Sequence, residues 1–197
     1  MQRTIRSFTI VDIHKFKSNL LYWSQKFETT IWLDSNEHNK KYSSFDCTIA
    51  IEEFTSIKTD FFNAFEKLKE YQSSTKDYIF GYISYDVKND TELLSSNNFD
   101  GLDFADLYFF QPQKLIFIKG NTVEFHYLKM VDDKIECDLE EIKKFKKEKK
   151  EKSTFDIKIK HRLHKDEYQT KVTKILEHIQ RGDIYEANFC QEFYAEN

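Results

Sequence analysis

The sequence predicts an α+β protein, and three observations carry that prediction. Phe45, Cys47, Ile49 and Ile51 alternate with Asp46, Thr48, Ala50 and Glu52, the period of a strand with one buried face. In "KLIFIKGNTVEFHYL", Gly120-Asn121 sits between two β-rich runs and suits the positive φ of a tight hairpin turn. The stretches after Asp12 and before Gly182 instead repeat apolar residues at helical spacing.

Taken in order, "RTIRSFTI" reads as an opening strand. Asp12 then caps a helix with Ile13, Phe16, Leu20, Leu21 and Phe27 on its apolar side. "TTIWL" returns to strand character, and the alternation from Phe45 follows. Phe61, Phe62, Phe65, Leu68 and Tyr71 give the next helix an aromatic stripe. "YIFGYISYD" is a further strand, in which Gly81 marks a bulge or a close backbone approach. After the hairpin, "DLEEIKKFKKEKKEKSTFD" carries seven lysines between Lys143 and Lys152 and reads as a solvated helix and linker. Beyond it, Asp166 and Gln169 stand in capping-box relation. Tyr168, Val172, Ile175, Leu176 and Ile179 share one helical face, and Gly182 ends the helix. Ile184, Glu186 and Asn188 then alternate with Tyr185, Ala187 and Phe189 as in a strand.

Composition narrows the function classes. With 40% hydrophobic and 16% aromatic residues in 197, the chain can bury a substantial core. Its 34 acidic and 30 basic residues leave a net charge of −4, which favours neither nucleic acid nor an anionic membrane. Cys47, Cys137 and Cys190 are odd in number and lack CxxC spacing, so a disulfide framework and a zinc site are both disfavoured. No signal-peptide core or apolar run of about 18 residues occurs, and a soluble cytoplasmic protein is expected.

Conventional catalytic signatures are missing: there is no P-loop, GxGxxG, nucleophile elbow or HExxH, and only 4 glycines. His161 and His164 have HxxH spacing without acidic or cysteine neighbours, which reads as solvent-exposed histidine more readily than as a metal site. The segment from Ile31 to Ala50 is more informative. Asp34, Ser35, Tyr42, Ser43 and Ser44 gather small polar groups and a ring between two apolar strands, where either a ligand pocket or a plain hydrophilic connection would fit.

Three stretches together resemble one family. "EYQTKVTKILEHIQRGDIYEANFCQEFYA" is similar to the opening of the chorismate-binding domain in anthranilate synthase and aminodeoxychorismate synthase large components. "FGYISYDV" looks like that family's "GYxGYD" strand, and "LDS…YSSFD" resembles the "LxS…YSRFD" pattern of aminodeoxychorismate synthases, with Ser44 in place of the usual Arg. The motifs occur in the family's order between Trp32 and Asn197.

The resemblance implies an antiparallel layered β-sandwich with flanking helices. It implies an N-terminal domain over residues 1–152 and the start of a chorismate-binding domain over residues 153–197. The implied reaction is amination of chorismate to 4-amino-4-deoxychorismate, with ammonia from a glutamine amidotransferase subunit and Mg2+ as cofactor. Anthranilate synthase component I, or a non-catalytic amino-acid-binding or docking module, is the alternative. The family's magnesium ligands and PIKGT-like motif are not in this sequence, so the chain alone is expected to be inactive. The resemblance also implies a tryptophan-like ligand pocket at Ser35, Tyr42, Ser43, Ser44 and Phe45. It places Glu186 where water-adding relatives carry a lysine and ammonia-using relatives commonly a glutamine, which nominates Glu186 as the residue near chemistry.

Overall fold

The computed structural model describes residues 2–38, 42–92, 94–96, 99–145 and 157–195. The chain divides into two compact units, Met1–Glu148 and Lys149–Asn197.

The first unit runs β1 (Arg3–Thr9), α1 (Ile13–Ser24), β2 (Thr30–Asp34), β3 (Cys47–Thr59), α2 (Ala64–Thr75) and β4 (Phe80–Ile83). A 3₁₀ turn at Tyr85–Val87 leads into the short α3 (Lys88–Thr91). Then come β5 (Leu107–Lys119), β6 (Thr122–Leu128), a 3₁₀ segment Lys129–Lys134 and α4 (Ile135–Lys144). Among the described residues six strands form one antiparallel sheet in the order β1-β6-β5-β3-β2, with β4 also on β5. The α+β class expected from the sequence therefore holds, with helices flanking antiparallel strands.

Local chemistry explains most of the boundaries. Asp12 accepts from the Lys15 amide at 3.0 Å and starts α1 as predicted. Gly120 turns the β5–β6 hairpin with φ 54°, joining Lys119 to its partner Thr122. Gly81 is a close approach rather than a bulge: a Cβ there would lie 1.9 Å from the Tyr108 carbonyl oxygen. The β3–β5 register does shift between Glu53 and Thr55, opposite Pro112. Proline has no amide hydrogen to donate, so the ladder breaks there, and the neighbouring Glu52 takes φ 57°.

One face of the sheet carries the main core. Phe16, Leu20 and Trp23 of α1 and Ile135, Leu139 and Ile142 of α4 pack on Ile49, Ile51, Ile116, Ile118, Val123, Phe125 and Tyr127. The other face holds a smaller cluster of Ala50, Phe110 and Leu115, flanked by Ile31, Phe80, Tyr108 and Phe117. Cys47 through Ile51 are consequently all buried, where the sequence predicted one buried face for this strand. Cover on the second face comes from distant segments that local alternation does not record.

Two further expectations are corrected. Phe61 and Phe62 precede α2, Phe65 stays 46% exposed, and Ala64 alone is fully buried in that helix. The stripe thus divides: Phe65 faces outward, while Leu68 packs towards the sheet and the Tyr71 hydroxyl donates to the Thr55 carbonyl and accepts from the Gln111 amide. Helix α4 is not a solvated helix: Ile135, Asp138, Leu139 and Ile142 are buried. The lysine-rich residues after Phe145 lie outside the described residues up to Ile157.

The second unit contains β7 (Lys160–His161), α5 (Lys165–Arg181) and β8 (Phe193–Tyr194), with β7 and β8 paired antiparallel. Gly182 ends α5 at φ 81°, and its amide and that of Asp183 satisfy the terminal carbonyls of Ile179 and His178. The capping box does not form. The helix begins earlier, with His164 at the cap, so Asp166 falls inside the first turn, where its carboxylate favours the positive end of the helix dipole. The strand expected over residues 184–189 is also absent, because alternation makes a strand only where a ladder partner exists, and β7 pairs only Phe193 and Tyr194.

Candidate functional site

The β5–β6 hairpin presents two faces. Ile116 and Ile118 pair with Phe125 and Val123 towards the core, which leaves Phe117 and Lys119 beside Glu124 and Thr122 on the opposite face, with His126 further along β6. That second face floors a cavity of about 620 Å³ lined also by Ser44, Phe45 and Tyr78.

Aromatic rings shape it. Phe117 lies 5.4 Å from Phe45, 5.6 Å from Tyr78 and 4.9 Å from His126, the last edge-on. The His126 Nε2 is 3.0 Å from Glu124 Oε2. A cavity with this wall accepts a planar ring at its apolar surface, and Lys119 and Glu124 add one charge of each sign.

The connection from β2 to β3 reaches the cavity through two fixed points. The Ser35 amide donates to the Asp46 carbonyl at 2.8 Å, and the Asp46 carboxylate accepts from the Gly120 amide at 2.7 Å. These bonds tie the connection to the hairpin turn and set Ser44 and Phe45 over Phe117. Asp34 anchors the base of the connection by an ion pair to Lys17 of α1 at 2.7 Å. Burial opposes ionisation of Asp34, but bonds from Lys17 and the Asn36 amide outweigh it and hold its carboxyl below the usual range. Next to it, the buried Cys47 thiol is pushed up to about 12, first by burial and then by the Asp34 charge.

Of the five pocket residues expected from the sequence, Ser44 and Phe45 line the cavity. Ser43 turns its hydroxyl to the Phe45 carbonyl at 2.6 Å, Ser35 serves through its backbone, and Tyr42 is 87% exposed. Residues 39–41 lie outside the described residues. Tyr78, Phe117, Lys119, Thr122, Glu124 and His126 were not anticipated. The signal that could have found them is the hairpin itself, whose alternation puts two aromatic rings on the face away from the isoleucines.

In "FGYISYDV", Gly81 lets β4 approach β5, Ser84 donates to Asp106 at 2.7 Å, and Tyr85 stands 82% exposed. In the second unit, Glu186 is exposed in a segment without regular structure. His161 and His164 line a separate cavity of about 420 Å³ with Tyr168, Gln191 and Phe193, and the His161 ring rests 4.8 Å from Phe193. Among the described residues, no group of three or more His, Cys, Asp or Glu could hold a metal ion. These residues therefore do not fit a magnesium site. Among the described residues no helix is long and apolar enough to cross a membrane.

A search of the curated proteins finds no match to the chain. The model of the chorismate binding enzyme family matches residues 25–197, which take in both the connection that frames the cavity and the helix α5 with its following segment. With most of its length matched, the chain belongs to the family of chorismate binding enzymes.

Proposed function

We propose that this chain is the N-terminal portion of an aminodeoxychorismate synthase component I, with its domains at residues 1–152 and 153–197. The reaction replaces the 4-hydroxyl of chorismate by ammonia from a glutamine amidotransferase subunit, giving 4-amino-4-deoxychorismate and water. The observation that supports this choice is the "LDS…YSSFD" connection, whose Asp46 carboxylate is latched to the hairpin turn so that Ser44 and Phe45 reach an aromatic cavity. Mg2+ would shield the carboxylate charge of chorismate when bound, and its ligands are not among the residues described.

The cavity would take tryptophan or a similar aromatic amino acid. Phe45, Phe117 and Tyr78 receive the ring, Lys119 faces the carboxylate and Glu124 the ammonium group. Glu186 would act elsewhere, accepting a hydrogen bond from the incoming nitrogen. Because no metal-holding cluster comes together among the described residues, the 197-residue chain by itself is expected to be inactive.

The test uses the natural gene product containing these residues, supplied with chorismate, magnesium and ammonium. Formation of 4-amino-4-deoxychorismate supports the reading, and formation of anthranilate instead assigns the protein to the anthranilate synthase branch. Glu186→Gln and Glu186→Ala are assayed alongside. If both keep the kcat and KM of the parent, Glu186 has no catalytic part.

A second reading is a non-catalytic amino-acid-binding module. It is favoured by the location of the cavity, all of whose lining residues belong to the Met1–Glu148 unit. Tryptophan binding by a gene product that converts no chorismate would support that reading over the first.

A further inference from the structure

We propose that Arg3 and Asp77, neither of which lines the cavity, are its positioning residues; this rests on reading the cavity as a site for an aromatic ligand. Arg3 Nε meets both Asp77 carboxylate oxygens, at 2.9 and 3.0 Å, and the two side chains are each 6% exposed. The same guanidinium donates from Nη1 to the His126 carbonyl at 2.8 Å and from Nη2 to the Pro112 carbonyl at 2.7 Å. One side chain on the edge strand β1 thus grips the strand that carries the His126 ring and the residue that precedes Tyr78.

Asp77 passes the constraint on. Its Oδ1 accepts from the Tyr78 amide at 2.8 Å, and its Oδ2 accepts from Gln111 Nε2 at 2.7 Å. Tyr78 is 49% exposed, so packing alone holds it weakly, yet its ring stands 5.6 Å from Phe117 and 6.4 Å from His126. Its backbone is set by Asp77, and Asp77 is set by Arg3. The fork geometry matters as well as the charge: a lysine supplies a cation but cannot bond the carboxylate and two carbonyls in one plane.

The test is calorimetric titration of L-tryptophan into the protein and its Arg3→Lys and Asp77→Asn variants, each with and without Tyr78→Ala. Cooperative unfolding is checked for each. The expected result is a Kd raised about tenfold by either substitution, the size of one lost hydrogen bond to a charged group. That loss should disappear in the Tyr78→Ala background, because the effect travels through Tyr78. Unchanged affinity in a folded variant overturns the proposal, as does an equal loss with and without the Tyr78 side chain. If the parent binds no tryptophan, the ligand reading fails, and amide hydrogen exchange judges the positioning separately. Faster exchange at Tyr78 in Arg3→Lys supports it, and unchanged exchange overturns it. If neither variant unfolds cooperatively, the parent decides: a Tyr78 amide that exchanges as fast as an unprotected loop amide overturns the proposal, and a protected one supports it.

Discussion

The Asp46 carboxylate holds the Gly120 amide at 2.7 Å across 74 residues of sequence, joining the β2–β3 connection to the tip of the β5–β6 hairpin. Asp46→Ala removes the acceptor and frees both segments. Stability should fall by about 1 kcal/mol, the usual net worth of such a bond, with Asp46→Asn recovering part of it. Urea denaturation gives the difference. No change in the midpoint would mean that the turn holds itself without the latch.

That bond also marks the limit of what could be read in advance. The hairpin was legible because Gly120 and Asn121 announce their own φ requirements, and α1 because Asp12 caps it locally. The double-sided burial of Thr48 and Ala50 was not, since it depends on Ile31, Phe80, Phe110 and Leu115 arriving from three other strands. The register shift between Glu53 and Thr55 follows from Pro112, a residue distant in sequence that becomes relevant only once the two strands are aligned.

Gly81 and Gly120 should respond very differently to alanine. At Gly81 the added Cβ meets the Tyr108 carbonyl at 1.9 Å and the Phe109 Cα at 2.6 Å, backbone atoms that cannot rotate away. Gly81→Ala should cost more than 3 kcal/mol or prevent folding, in the manner of an overpacked core. At Gly120 nothing lies within 4 Å, and only the positive φ is unfavourable. Gly120→Ala should cost about 1 kcal/mol. Equal losses in thermal melts would contradict the close approach.

The candidate site was legible in part, and for a similar reason. Ser44 and Phe45 stood in a recognisable motif, whereas Phe117, Glu124 and His126 alternate with core residues in the way that solvent-facing residues of any hairpin do. Nothing local tells an aromatic residue at such a position that Tyr78 and Phe45 will come to cover it. Tyr42, by contrast, belongs to the motif and yet stays in solvent.

Lys114 is a buried charge whose partners are all visible. Its Nζ lies 3.0 Å from Asp138 and 3.4 Å from Glu52, and the Tyr127 hydroxyl donates to the same Asp138 oxygen at 2.9 Å. Phe27 lends a ring face 4.7 Å from the ammonium. Lys114→Met should cost roughly 3–5 kcal/mol, because the Asp138 carboxylate is left buried without its cation. Adding Asp138→Leu should restore most of the loss, because the charge is removed with its partner. A double variant as unstable as the single would show that the cluster contributes more than compensation of its own charges, and chemical denaturation of the three proteins measures it.

The last prediction concerns alkaline pH. The Cys47 thiol is raised from 9.0 to about 12 by burial and by the Asp34 charge, and the Tyr108 hydroxyl is raised from 10.0 to about 12 by burial and its bond to Glu53. Each is an acid whose neutral form is favoured in the fold. Above pH 9 the unfolded chain begins to release the Cys47 proton while the folded chain keeps it. Stability is therefore fully present below pH 9 and is lost as pH rises towards 12, at about 1.4 kcal/mol per pH unit for a single thiol. Cys47→Ala should flatten the decline by that amount between roughly pH 9.5 and 11.5, leaving the part due to Tyr108 and to Tyr127, whose buried hydroxyl is also held well above its usual range. Urea midpoints at stepped pH give the slopes. The same burial predicts that a thiol reagent labels the exposed Cys137 and Cys190 in the native protein and reaches Cys47 only on unfolding. Rapid native labelling of Cys47, or an alkaline slope unchanged by its removal, would show that this thiol is not sealed in the core.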